Sequence, residues 1–204
     1  MKTLEKLKTE FARWISIIFN PLWFSIIFLI YLIISKDFSR SDTIGVIISG
    51  SLSAFIIPVL IIGYMVKKGK TSHIDIPERS KRIVPFMIFS IIYGLTFLIS
   101  VHLGLPGVFN VVVFAIFINT IIYGIITLWW KVSIHCAGVA GYLSATTLIM
   151  GQRNIVLWLI IPLLCWSRVR LKSHTPMQTL VGAVLGGALT WIEIILADYW
   201  FNIL

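Results

Sequence analysis

Val108–Trp130 reads VFNVVVFAIFINTIIYGIITLWW, 23 residues without one charged side chain. A helix crosses a bilayer core in roughly 20 residues, so this stretch is long enough to span by itself. Comparable apolar segments lie near Trp14–Ile34, Ile44–Val66, Ile83–Leu103, Ile134–Met150, Ile155–Trp166 and Leu180–Phe201. Periodicity alone does not separate helix from strand in runs this uniformly apolar, but their length and the rarity of alternation favour helices. The expectation is an all-α, polytopic transmembrane bundle of six or seven helices.

Composition agrees. The 204 residues are 58% hydrophobic and only 12% charged, with a mean hydropathy of +0.98, whereas about a quarter of a soluble domain is charged. Seven spans leave little chain for connections, so residues 1–204 read as a single domain. The sixth segment has only 12 residues, about 18 Å of helix, and crosses only if it recruits Arg153 or Ser167–Leu171. The basic stretch Met1 to Arg13 leads into an apolar run without a small-residue cleavage site, which favours an uncleaved first span over a signal peptide. Cys136 and Cys165 sit in apolar segments without motif spacing and read as small core residues.

Gly104-Leu105-Pro106-Gly107 and Gly151-Gln152-Arg153-Asn154 are tight connections that make helical hairpins. The polar clusters at Lys67–Arg82, Lys131–His135 and Ser167–His174 are then each two spans apart, and all three emerge on one face. That face carries all of the 17 Lys and Arg residues except Lys36, Arg40 and Arg153. By the positive-inside rule it is cytoplasmic, which makes the chain a multi-pass protein of the cell membrane.

The second and third of these clusters each present a histidine, and the third an arginine ahead of it: Ser133-Ile134-His135, and Ser167-Arg168, five residues, His174. An imidazole can attack phosphorus or protonate a leaving oxygen, and a planar guanidinium can hold two phosphate oxygens at once. Ser133 and the amides at the start of span five can add donors, since a helix N-terminus attracts anions. Of the remaining histidines, His102 falls on the far side and His73 in a solvated basic loop.

This pattern resembles the type 2 phosphatidic acid phosphatase superfamily of integral membrane lipid phosphatases. The family's third motif, Ser-Arg, five residues, His, three residues, Asp, is met by Ser167, Arg168 and His174, with Gln178 where Asp is expected. Its second, Pro-Ser-Gly-His, is met loosely by Val132-Ser133-Ile134-His135, and its first, Lys, six residues, Arg-Pro, is absent as such. The resemblance covers roughly the C-terminal 125 residues. It implies a helical membrane enzyme that needs no metal or other cofactor and removes a terminal phosphate or diphosphate from a polyprenyl or phosphatidic-acid-type lipid. In that scheme His174 attacks phosphorus to form a phosphohistidine, His135 protonates the departing lipid oxygen, and Arg168 holds the phosphoryl group. The alternatives are a lipid phosphotransferase and a non-catalytic protein that binds or transports anionic lipid.

Two departures frame what a structure must answer. Gln178 cannot supply a carboxylate, although its amide oxygen can accept an N–H from His174 and fix the tautomer. Thr175-Pro176-Met177-Gln178 also has the form of a capping box with proline at the first helical position, and both roles are expected to hold only if different amide atoms serve them. For the missing first motif, Arg82, Lys131 and Arg79 are the candidates for phosphate contact, Arg79 and Arg82 by sharing a helical face three residues apart. Their simpler reading is topology and headgroup attraction.

Glu193 and Asp198 lie late in the last span, and Glu193 is about 22 Å along a helix from Gln178, toward the opposite face. Gly182 with Gly186, and Ala137 with Gly141, have the small-residue spacing that lets helices approach closely. Each pair follows a motif histidine, so tight packing of spans five and seven is expected to bring His135 and His174 together.

Overall fold

A computed structural model describes residues 2–201, and every regular element among them is helical. The α-helices are α1 (Lys2–Ile18), α2 (Pro21–Ser35), α3 (Arg40–Ser51), α4 (Ile57–Lys67), α5 (Ile83–His102), α6 (Gly107–Thr127), α7 (Ile134–Met150), α8 (Ile160–Arg170) and α9 (Pro176–Phe201). A π-helical turn at Leu52–Ile56 joins α3 to α4, so Arg40–Lys67 is one continuous helix of 28 residues. Eight continuous helices thus stand where six or seven were expected. Four of them are long and apolar enough to cross a membrane: Arg40–Lys67, Arg79–His102, Gly107–Thr127 and Pro176–Tyr199. Counting α1 and α2 as one bent span makes five.

Trp14–Ile34, expected as one span, is broken. Pro21 has no N–H to continue a helix, and Asn20 caps the new one by accepting the Leu22 N–H at 2.9 Å. The axis turns by 49° there. The π turn has a related cause. Pro58 cannot bond back to the Ala54 carbonyl, and that carbonyl instead faces the Ser25 hydroxyl, 3.4 Å away.

The short sixth segment does recruit its flanks. Gln152–Leu159 is a 3-10 helix that passes into α8 just ahead of Pro162. At 2.0 Å and 1.5 Å per residue the two rise about 32 Å in all. They carry the chain back from the Met150 end of α7 to the His135 end: Asn154 receives the Tyr31 hydroxyl at 3.1 Å, Trp158 Nε1 donates to Thr147 at 3.1 Å, and Arg168 reaches Asp75.

Helix α7 runs along α9 at small-residue contacts. An ideal Cβ on Gly186 would fall 2.0 Å from the Ala137 carbonyl oxygen, and one on Gly182 would fall 2.7 Å from that of Ser133. Both are far inside contact distance, so the two helices meet backbone to backbone. The expected pairing of these glycines with span five is present in the fold. The core on one side of α7 is Phe24, Val139, Ala140, Leu143, Leu164 and Ala183, and on the Met150 side Phe28, Leu32, Val112 and Ile149. Apolar residues also face outward in a stripe along α5, at Met87, Ile91, Leu95 and Leu98.

Candidate functional site

The distance from Arg168 to His174 is set by how α8 ends. The N–H groups of Leu171, Lys172 and Ser173 donate to the carbonyls of Ser167, Val169 and Arg168 at 3.0, 2.9 and 3.1 Å, with Lys172 in the left-handed region at φ 55°. This turn folds His174 back over Arg168, whose carbonyl also accepts the His174 N–H at 3.4 Å.

Helix α9 then starts with the capping box. The Gln178 N–H donates to Thr175 Oγ1 at 3.3 Å, and the Thr175 N–H donates to Gln178 Oε1 at 3.2 Å. The same Oε1 lies 3.1 Å from His174 Nδ1. The expectation that separate amide atoms must serve the two roles is corrected: a carbonyl oxygen has two lone pairs, and one oxygen serves both. Since that oxygen accepts, Nδ1 of His174 carries the proton and Nε2 is the bare nitrogen.

Ser133 caps α7 with its hydroxyl oxygen 3.5 Å from the Cys136 N–H, while its own N–H donates to the Gln178 carbonyl at 3.2 Å. That backbone bond ties the second cluster to the third. Ser133 is fully buried and, like Arg168, is not among the residues that line the cavity described below. Two residues on, His135 Nε2 lies 3.2 Å from Asn20 Nδ2 and 3.8 Å from Asp75 Oδ1.

The cations part company. Arg168 is 2% exposed; its Nη1 donates to Ser16 Oγ at 2.5 Å and to Asp75 Oδ2 at 2.9 Å, and its Nε is buried without a partner. Arg82, also buried, donates to the carbonyls of Ile76, Val132 and Asp75 at 2.7, 3.2 and 3.3 Å. It pins a strained turn, since Ile76, β-branched, has φ 44°. Arg79 points elsewhere, onto the Thr127 and Leu128 carbonyls at the end of α6. Although Arg79 and Arg82 share one turn of 3-10 helix, only Arg82 reaches the histidines' side. Lys131 is half-buried and donates to the Ser173 carbonyl at 2.8 Å, beside His174.

A cavity of about 220 Å³ opens from this cluster into the bundle. Asp75, Arg82, His135 and His174 stand with Asn20 among its polar lining, while Pro58, Phe86, Phe89, Val112 and Ile116 contribute apolar walls. Electrostatics favour an anion at the polar residues. Burial, with Arg82, Lys131 and Arg168 nearby, pushes the His174 imidazole down to about 3 against the opposing Gln178 bond, so it is neutral at pH 7. Burial also raises the Asp75 carboxyl, but His135 and Arg168 outweigh it and hold the group below the usual carboxylate range. Lys131 is lowered by burial and by Arg82 and Arg168. Three cations face one carboxylate.

Asn20, Ser16 and Asp75 are the site residues that the sequence did not single out. Asn20-Pro21 is a helix-start signal, hidden inside an apolar run; nothing in sequence marks Ser16 or Asp75, whose partner Arg168 is 93 residues away. Glu193 lies away from the histidines and accepts from Asn119 Nδ2 at 3.1 Å. The two cysteines, remote in sequence, sit with their sulfurs 3.7 Å apart as free thiols.

No protein-family model matches the chain, and comparison with curated proteins and with solved structures finds no match.

Proposed function

We propose that this chain is a multi-pass membrane phosphatase that hydrolyses the terminal phosphate of a lipid through a phosphohistidine. The observation that carries the reading is the placement of two histidines at one end of a largely apolar cavity, with the buried, incompletely paired guanidinium of Arg168 held behind them on Asp75, between helices long enough to cross a bilayer. Adding α7 and Gln152–Arg170 to the four long helices and the bent pair gives seven crossings. The exposed apolar stripe of α5 then faces lipid. The cationic clusters lie on one side, which the positive-inside rule makes cytoplasmic, in the cell membrane.

The chemistry follows from the atoms. Nε2 of neutral His174 attacks phosphorus while Gln178 holds the proton on Nδ1. As the P–N bond forms and the bond to the lipid oxygen breaks, His135 gives that oxygen a proton. Water then attacks phosphorus, His135 takes a proton back from it, and the P–N bond breaks to release phosphate. Phosphoryl transfer asks mostly for positioning and for charge stabilisation around the equatorial oxygens. Arg168, Arg82 and Lys131 supply the charge; three cations less the Asp75 carboxylate leave two positive charges, which suits a phosphate monoester dianion.

The apolar walls suit a prenyl or acyl chain, so polyprenyl phosphate and phosphatidic acid are the substrate classes to test. Purified protein in detergent is expected to release phosphate from one of them with chelator present, and His174→Ala is expected to abolish that release. Undiminished release by His174→Ala would overturn the mechanism. Specific lipid binding without release would leave a lipid-binding protein, and transfer to an alcohol acceptor in preference to water would mark a phosphotransferase.

A further inference from the structure

His135 stands between two unlike partners. Asn20 is held in one orientation because its Oδ1 accepts the Leu22 N–H at the start of α2. Its Nδ2 is therefore the atom turned to His135 Nε2 at 3.2 Å, and an amide N–H bonds only to an imidazole nitrogen that carries no proton. This contact belongs to the basic form of His135.

The other partner is an anion. Asp75 Oδ1 lies 3.8 Å from the same Nε2, and its second oxygen is fixed by Arg168 at 2.9 Å. The turn that presents it is clamped by Arg82 and takes the strain at Ile76. Asp75 also faces His73, whose Nδ1 accepts the Asp75 N–H at 3.3 Å. Burial and the Arg168 and Arg82 cations work against an imidazolium at His135, and of its charged neighbours only Asp75 favours one. A protonated Nε2 loses Asn20 as a donor and gains Asp75 as an acceptor.

We propose that Asn20 and Asp75 are positioning residues that act on His135 in alternate half-reactions, Asn20 by holding its basic form and Asp75 by holding its acidic form. The inference rests on the phosphohistidine reading above. In the first half-reaction the proton leaves Nε2 for the lipid oxygen, and His135 relaxes onto Asn20. In the second, water gives a proton to Nε2 as its oxygen bonds to phosphorus and the P–N bond to His174 breaks, and His135 returns to Asp75. Protons balance over the cycle without an external acid.

The test is rapid-quench kinetics with the full-length protein, comparing a lipid phosphate, whose alkoxide leaving group needs a proton, with p-nitrophenyl phosphate, whose leaving group does not. Asp75→Asn is expected to slow the first half-reaction with the lipid at least tenfold more than with p-nitrophenyl phosphate, and Asp75→Glu to restore part of the loss. Asn20→Ser keeps a capping oxygen but removes the amide group that reaches His135. It is expected to give a stoichiometric burst of p-nitrophenol followed by a steady state slowed about tenfold, because dephosphorylation becomes limiting. Equal losses on both substrates in Asp75→Asn would mean that the carboxylate merely supports Arg168, and would overturn its role here. Asn20→Ser with no burst, at an unchanged or uniformly lowered rate, would overturn the other half. Wild-type protein inactive on both substrates would remove the phosphatase reading itself and this inference with it, whereas active wild type with either contrary result defeats only the inference.

Discussion

Placing a single methyl group on Gly186 should separate the two histidines. The added Cβ would lie 2.0 Å from the Ala137 carbonyl oxygen, and 2.6 and 2.7 Å from that residue's carbonyl carbon and Cα. A carbon–oxygen contact needs about 3.3 Å, so α9 must retreat from α7 by about 1.3 Å. No side-chain rotation can relieve a clash with backbone. Overpacking of this kind costs about 1–3 kcal/mol, and a displacement of about 1 Å at a reacting centre can cost on the order of a hundredfold in rate. Gly182→Ala, where the clash is with the Ser133 carbonyl at 2.7 Å, requires about half that movement and should be milder. Gly63→Ala, with no atom within 4 Å, is the control. Phosphate release and thermal unfolding in detergent should rank the variants Gly186→Ala worst, then Gly182→Ala, with Gly63→Ala near wild type. Wild-type rate and stability in Gly186→Ala would refute the claim that this backbone contact sets the spacing of His135 and His174.

Further outcomes follow from the site. Arg168→Lys should lower turnover about a hundredfold, since an ammonium lacks the planar grip of a guanidinium, whereas Lys172→Ala, at an exposed turn, should change it little; equal small effects would sink the clamp. His174 titrates near 3 in the folded chain and near 6.5 unfolded, so from pH 6.5 down to 3 the unfolded state binds a proton that the folded state does not. Stability should therefore fall with acidification over that window, and less steeply in His174→Gln; identical pH–stability curves would contradict the burial of a neutral imidazole. Gln178→Glu keeps both Oε contacts and adds charge, so it should favour the His174 imidazolium and move the acid limb of the pH–rate profile upward. Superimposed profiles would exclude contact with His174.

The parts of this site that were legible in the sequence are those encoded by spacing. Hairpins at Gly104-Leu105-Pro106-Gly107 and Gly151-Gln152-Arg153-Asn154 imply that the three polar clusters share one face, and the contacts among Asp75, His135 and Arg168 join them there. The small residues at 137, 141, 182 and 186 likewise announced the α7–α9 approach. Breaks inside uniformly apolar runs were not legible, because periodicity has no contrast there; Asn20-Pro21 is the clearest case, and with it the partner of His135 was missed. Asp75 falls inside the basic stretch Lys67–Arg82, where nothing local sets it apart. Its importance comes from a turn that Arg82 clamps and from an arginine on another helix, neither of which local pattern reveals. The helix count came out low for the same reason: seven apolar runs are visible, but capping and proline chemistry divide the described residues into eight continuous helices.

The central claim, a covalent phosphohistidine at His174, is tested most directly by quenching the protein with alkali during turnover of a ³²P-labelled lipid phosphate and mapping the label. The account predicts an alkali-stable, acid-labile label on the peptide containing His174, retained in Asn20→Ser and absent in His174→Ala. Turnover without any label, or a label that survives His174→Ala, would contradict it.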